Sequence, residues 1–362
     1  IYSQIRTSIS TQQHGFVKGR STLTNLVLFS QYALDILNKS SQLDVIYLDF
    51  QRVFASIDHY ILLHKLQALG FVGNFISLLK SYLLGRTQFV AYQGFESVMY
   101  RATSGVPQGS ILGPLLFVLF INDLPNFVES KILLYADDVK IFREIVNAQD
   151  TKVLQQDLIN FSEWSQNSRL KISYHKCSIV TYSNKKHTIT NTYNVDRKDI
   201  VRKESVKDLG VVFDCKCKFQ DHYNYITVKA CKTTGFIIRN AKLFNVECTT
   251  KLFISYARSV LEYCSIVWSP IDQCHKLLIE KQQRRFLKYL MYKCDKVYPP
   301  RKYPQELMLQ RFGLKALEAR REVAAVKFLY NVVNNLVDVI DIVSMLNFRM
   351  AQKFLRNSHT FY

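Results

Sequence analysis

None of the eight cysteines in this 362-residue chain stands in a C-x-x-C pair, and none is paired with histidine at zinc-finger spacing. That excludes the common structural zinc modules. The nearest approaches are "FDCKCKF", with Cys215 and Cys217, and "QCHK" at 273–276, and neither has a matching second half. Free thiols in a reducing, intracellular setting are the expectation. Long apolar runs are also lacking. The longest, "ILGPLLFVLFI" at 111–121, is too short to cross a bilayer and is followed by Asn122 and Asp123, so no membrane partner is expected. No internal repeat or low-complexity stretch is visible, and the opening residues are not patterned as a secretory signal. The first residue is Ile1, which suggests a piece of a longer polypeptide.

Negative charge is scarce: 29 Asp+Glu stand against 48 Lys+Arg, a formal net charge of +19. Residues 1–213 carry 23 basic against 17 acidic side chains, and residues 214–362 carry 25 against 12. An excess of that size exceeds what solubility needs and points to a polyanion, nucleic acid before anionic membrane. A hydrophobic content of 48% with 21% charged residues describes a folded protein. The length allows about two or three domains.

The pattern along the chain is mixed α/β first and helical later. "STLTNLVLFSQYALDILN" (21–38) has helical spacing, with Ser21 or Thr22 as N-cap. "DVIYLDF" (44–50) reads as a central strand. "ILLHKLQALG" and "FISLLKSYLLG" read as helices ended by Gly70 and Gly85. Residues 86–103 read as a hairpin turning near Gln93-Gly94, and 111–121 as an apolar helix. "KILLYADDVKIF" (131–142) reads as a tight hairpin and 151–170 as an amphipathic helix. "CSIVTYS" and "VKDLGVVFD" look strand-like, and helices dominate from there. Trp164 and Trp268 are expected core anchors.

Three carboxylates fall in costly places. Asp49 ends an otherwise core-like strand, on the face of Val45 and Tyr47. Asp137 and Asp138 sit side by side in the bend of an apolar hairpin. If the strands are neighbours, the cluster repels itself until hard divalent cations bind, and Mg²⁺ is the oxygen-seeking choice. Two ions about 3.5–4 Å apart suit in-line phosphoryl transfer. Solvated turn aspartates are the bland alternative.

"LLYADD" resembles the tyrosine-x-aspartate-aspartate box of reverse transcriptases. "VIYLDFQRVFASIDH" looks like their first catalytic block, "SGVPQGSILGPLLFVLFINDL" like the next, and all three stand in the family's order. "QHGFVKGRSTLTNL" is similar to the fingers of non-LTR retrotransposon polymerases, while "LKISYHKC" and "VKDLGVVFD" look like the blocks closing the palm. "LEYCSIVWSP" and "IEKQQRRFLK" resemble the region after the polymerase in jockey-like elements. The resemblance implies an α/β right-hand polymerase: partial fingers and an antiparallel palm over 1–213, a basic helical thumb over 214–300, and a helical region over 301–362. It implies an RNA-directed DNA polymerase using two Mg²⁺ ions, with Mn²⁺ as substitute. Its partners would be an RNA template, a DNA primer and dNTPs, and its setting a nuclear integration site after a cytoplasmic ribonucleoprotein stage.

Residue by residue, Asp49 and Asp137 would ligate metal, with Asp138 and the Phe50 carbonyl beside them. Lys176 would protonate the leaving pyrophosphate. Phe54 would gate the sugar, Gln108 would lie against nucleotide and template, and Gly105 and Gly109 would let backbone approach. Arg20 would help hold the triphosphate. Arg284, Arg285 and Lys288 would run along the nucleic-acid backbone. His14 and His59 are read as parts of motifs and not as metal ligands.

The sequence also departs from the family. Ala55 stands where a carboxylate usually follows Phe54, and Arg52-Val53 replace a lysine-alanine pair. The triphosphate-binding fingers strand, the endonuclease and a zinc knuckle are expected elsewhere in the family's chains. A relic that only binds nucleic acid is therefore the alternative, and an intron maturase or telomerase a second one, which "LEYCSIVWSP" disfavours.

Overall fold

The computed structural model describes residues 5–346; the last part of the expected C-terminal helical region, 347–362, lies outside the described residues. The chain divides into two compact units. One holds Ile1–Asn25 and Gln31–Glu204, the other Leu26–Ser30 and Ser205–Tyr362.

The first unit is built on one sheet of five strands: β1 (Gln42–Leu48), β2 (Lys131–Tyr135), β3 (Asp138–Glu144), β4 (Ser178–Ser183) and β5 (Val201–Arg202). Their order is β5-β4-β1-β3-β2. β1 is antiparallel to both neighbours, with Leu48 opposite Val139 and Tyr47 opposite Ser178. A central strand buried on both sides explains the near-continuous apolar run in β1. β2 and β3 form the expected tight hairpin, closed by the Tyr135–Asp138 pair.

One sheet face, with Ile46, Leu48, Leu134, Val139, Ile141 and Ile179, lies in the main apolar core. Fully burying a side chain of this kind contributes about 1.5–3 kcal/mol. The longer helices of the first unit are α1 (Thr22–Asn38), of which Leu26–Ser30 counts with the second unit, α2 (His59–Ala68), α3 (Asn74–Leu83), α4 (Leu112–Phe120) and α5 (Ala148–Asn167). Ser21 caps α1 in a reciprocal box with Thr24. Asn147 and Asp150 do the same for α5. The run 116–120 of α4 is buried all round, as its unbroken apolar sequence requires. Residues 87–101 form an exposed arm of two short ladders, turning at Gln93 and Gly94, both at positive φ.

In the second unit, β6 (Ser205–Asp208) pairs only with β7 (Val211–Asp214). These strands do not join the large sheet. Phe213 packs instead on Phe29, at 5.4 Å between ring centroids. The unit's longer helices are α6 (Gln220–Asn240), α7 (Val246–Phe253), α8 (Gln273–Asp295), α9 (Gln305–Arg311) and α10 (Leu317–Val333). Phe253 and Phe286 stack at 4.0 Å in its core. Trp164 and Trp268 are both buried anchors, one in each unit, and all eight cysteines are free thiols.

Candidate active site

β1 ends at Leu48, and the register that pairs Leu48 with Val139 brings Asp49, one residue on, level with Asp138. Both then share the sheet face of Tyr47 and Lys140. Asp137 is the second residue of the two-residue turn, after Ala136 at φ +53°. A left-handed alanine costs about 1–2 kcal/mol, so the surroundings must hold this turn in place.

They do so through a strap formed by residues 10–16. Leu134 N–H donates to the Gln12 carbonyl at 2.9 Å, and the Leu134 carbonyl accepts from His14 N–H at 2.9 Å. It also accepts from Asn25 Nδ2 at 3.1 Å. Gln13 Oε1 accepts from Ala136 N–H at 3.0 Å and Gly15 N–H at 2.7 Å. A Cβ at Gly15 would fall 2.2 Å from Ala136 N, so only glycine lets the strap lie this close. Asn122 fixes the strap's far end, accepting from Ser10 N–H at 2.7 Å and donating to the Ser8 carbonyl at 2.7 Å.

Lys176 Nζ lies 3.1 and 3.0 Å from the two oxygens of Asp49. That hydrogen bond, with Asp49's charge, raises the Lys176 ammonium above its ordinary value. Burial raises the Asp137 carboxyl above the ordinary carboxylate range, and the charge of Asp49 adds to the rise, while its own N–H and Lys176 oppose it. Phe50 sits opposite Ile172; the flanking bonds use the Asp49 carbonyl and Gln51 N–H. By antiparallel geometry, the peptide groups of Phe50 itself point to the other side of the strand.

Among the described residues, no three His, Cys, Asp or Glu side chains are drawn together tightly enough to form a metal site as they stand. The donor chemistry still fits a hard cation. All donors are oxygens, Asp49 and Asp137 feel each other's charge, and an ammonium already occupies a cation's place on Asp49.

Phe54 lies on a short helix, Val53–Ser56, that follows β1. Its half-buried ring packs on Phe117 at 5.1 Å and Phe16 at 6.2 Å. The loop 104–110 clips onto this helix: Val106 N–H donates to the Phe54 carbonyl and Gly105 N–H to the Ile57 carbonyl, both at 2.8 Å. A Cβ at Gly105, which has φ +82°, would meet Ala55 Cα at 2.8 Å. His59 Nε2 lies 2.7 Å from the Gly105 carbonyl, so this buried histidine is a loop anchor. Gln108 and Gly109 are exposed at the tip of the loop. Gly109 has open space around it, so within the protein its φ of +79° is what asks for glycine. Ala55 is exposed. Arg20 commits Nη1 to the carbonyls of Ser10, Thr11 and Gln13, at 2.8, 3.2 and 2.9 Å, which makes it a brace of the strap.

Within the second unit, Arg284, Arg285 and Lys288 recur on one side of α8 and line a cleft. Arg284 Nη2 donates to the Tyr303 carbonyl at 3.1 Å, and Arg285 Nη1 lies 2.8 Å from Cys231 Sγ.

In the sequence alone, "QHG" and "IND" stand as motif text, and the parts played by Gln13, Asn25 and Asn122 do not show. Polar residues embedded in apolar motifs were the available signal.

Residues 1–244 match the family model described as reverse transcriptase (RNA-dependent DNA polymerase). The chain is 28% identical over 291 residues to the RNA-directed DNA polymerase from mobile element jockey of Drosophila melanogaster, covering 76% of this chain and 31% of that protein. It is 30% identical over 230 residues to the jockey polymerase of Drosophila funebris, covering 60% and 25%. The chain thus spans about a third or less of the length of these relatives. Among solved structures, it is similar to apo telomerase from Candida tropicalis, with a TM-score of 0.43, 13% identity, and 87% and 60% of the chains covered. Telomerase from Candida albicans gives 0.42, 12%, 86% and 52%.

Proposed function

Because the chain belongs to the reverse transcriptase family, we propose that it is the polymerase part of a non-LTR retrotransposon protein, extending a DNA 3′-end on an RNA template. The observation that carries this reading is the meeting of Asp49 and Asp138 at one register level, with Asp137 in the adjoining turn and Lys176 bridging to Asp49. Residues 1–213 serve as partial fingers and palm, 214–300 as thumb, and the sheet of the first unit is the palm's floor.

Asp49 and Asp137 would hold two Mg²⁺ ions, with Asp138 and the Phe50 carbonyl beside them. Bound there, the metals supply charge neutralisation for the attacking 3′-hydroxyl and the departing pyrophosphate. The protein's own groups do the rest. Lys176, whose ammonium Asp49 holds above its ordinary value, would give its proton to the departing pyrophosphate oxygen. Phe54, propped by Phe117 from behind, narrows the space under the sugar and excludes a 2′-hydroxyl. Gln108 meets the nucleotide and template from the loop that Gly105 and His59 hold against Phe54. Arg20 shapes the strap and lends its charge to the triphosphate. The basic side of α8 meets phosphates without reading sequence. Work at chromosomal DNA would place the protein in the nucleus.

The test is Mn²⁺ binding followed by electron paramagnetic resonance. The parent chain should bind Mn²⁺ and lose most of that binding on Asp137→Asn. Equal binding by parent and variant would remove the metal role from the hairpin. The relic alternative keeps the basic cleft and lacks this metal binding.

A further inference from the structure

The second unit contains a cleft of about 890 Å³ whose walls differ in chemistry. One wall is the side of α8 carrying Lys281, Arg284, Arg285 and Lys288, at helical positions i, i+3, i+4 and i+7, so four cations form one stripe. Apolar side chains, Ile238 and Leu277 among them, also line the cleft. Tyr298 forms part of the rim. One of its faces is stacked on Tyr292, with centroids 4.4 Å apart and planes 10° from parallel. Its side chain is nevertheless 58% exposed. Glu280 is the one carboxylate in the lining. It is turned to Gln305 Nε2 at 2.6 Å and Leu317 N–H at 3.0 Å.

Each feature narrows the occupant. Four cations in a row need an anion with repeated charge. Apolar lining side chains and a rim tyrosine need a flat, partly apolar body as well. A base-paired duplex offers phosphates outside and keeps its bases stacked within, so it would leave the apolar side chains and the tyrosine unused. A duplex is also far wider than a cavity in the ~300–1,000 Å³ range that suits small ligands. An unpaired strand satisfies all of it: phosphates lie on the α8 stripe while a base extends the Tyr292–Tyr298 stack.

We propose that this cleft binds a short unpaired stretch of nucleic acid, with a base stacked on Tyr298 and its phosphates on Lys281, Arg285 and Lys288. The inference rests on the nucleic-acid reading above and deepens it by naming which form of nucleic acid these cations face. The cleft lies within the second unit and needs none of the carboxylates of the first.

The experiment is a fluorescence-anisotropy titration of the full chain with unpaired oligo(rA), unpaired oligo(dA) and a blunt duplex of equal length. The variants are Tyr298→Ala and Tyr298→Phe. Tyr298→Ala should weaken binding of the unpaired strands about tenfold, the scale of removing one base stack. Tyr298→Phe should keep that affinity, and the blunt duplex should bind parent and Tyr298→Ala alike. Loss for rA alone or for dA alone would assign the cleft to that strand, and loss for both to either strand. Unchanged affinity of Tyr298→Ala for both unpaired strands would overturn the proposal, as would an equal loss for the duplex. Tyr298 is exposed, so an unchanged melting temperature for each variant separates a defect in binding from a defect in folding. A failure of the polymerase reading would show as absent extension with this binding intact, so the two can fail separately.

Discussion

Asp137 carries a conflict between stability and chemistry. Its carboxyl is raised by burial and by Asp49, so the folded chain holds that proton more tightly than the unfolded one. The stabilising contribution is full below the ordinary carboxylate value and lost as pH rises through the raised one. Above the raised value the ionised group is therefore a cost, and there Asp137→Asn should raise the melting temperature while abolishing extension. A variant that is both less stable and inactive would contradict this. His14 works the other way. Burial, with Arg20 and Lys140 adding, lowers it to about 3 from the ordinary 6.5, and its Nδ1 lies 2.7 Å from Thr24 Oγ1. The stability it contributes is full above 6.5 and lost as pH falls from there toward 3. His14→Gln should flatten the acid limb of a melting-temperature profile, and an unchanged limb would show that the strap does not titrate. Lys176→Ala should slow extension by about 10²–10⁴-fold, the usual contribution of a placed general acid. Lys176→Arg should keep the ion pair but not the proton donor, so a fully active Lys176→Arg would make the residue a plain charge partner.

The loop 104–110 and the strap 10–16 are what aim these residues. Both are pinned where a side chain has no room. Gly105→Ala would set a Cβ 2.8 Å from the Ala55 backbone at a φ of +82°. Neither can relax cheaply, so a loss of about 2 kcal/mol or more is expected, read as a lowered melting temperature with slower extension. The elements themselves were largely legible in the sequence. Ser21, Gly70 and the apolar spacing marked helices that are present, and the hairpin around Asp137 and Asp138 stands where two apolar runs met two aspartates. The strap was not legible, because its bonds join Gln12–His14 to Leu134 and Asn122 to Ser10, more than 100 residues away, through polar groups with no periodicity. For the same reason, His59 read as motif text and not as the anchor of Gly105. That "VKDLGVVFD" forms a ladder of its own was not legible either, because alternation marks a strand but cannot say which sheet it joins. The three carboxylates were found from their unfavourable placement, whereas the Lys176–Asp49 pair needed the fold.

Across the whole chain, charge and chemistry are divided. The excess of basic residues is concentrated after 213, where 25 stand against 12 acidic ones, while the carboxylate cluster lies before it. Binding and catalysis should therefore respond to different changes. Arg284→Gln with Lys288→Gln should weaken binding to a primed RNA and lower the slope of log affinity against log salt by about 0.7–0.9 for each phosphate no longer neutralised. The slope should be unmoved by Asp137→Ala. Arg284 and Lys288 variants with the parent's slope would take α8 out of the interface. Catalysis itself is tested most directly by primer extension on poly(rA)/oligo(dT) with Mg²⁺, comparing the parent chain with Asp137→Ala. Extension by the parent and at least about a thousandfold less by the variant, the scale of losing a charge-neutralising group, is the expected result. Equal extension by both would contradict the assignment of the hairpin as the catalytic centre, and binding without extension by either would leave a nucleic-acid-binding relic in place of a polymerase.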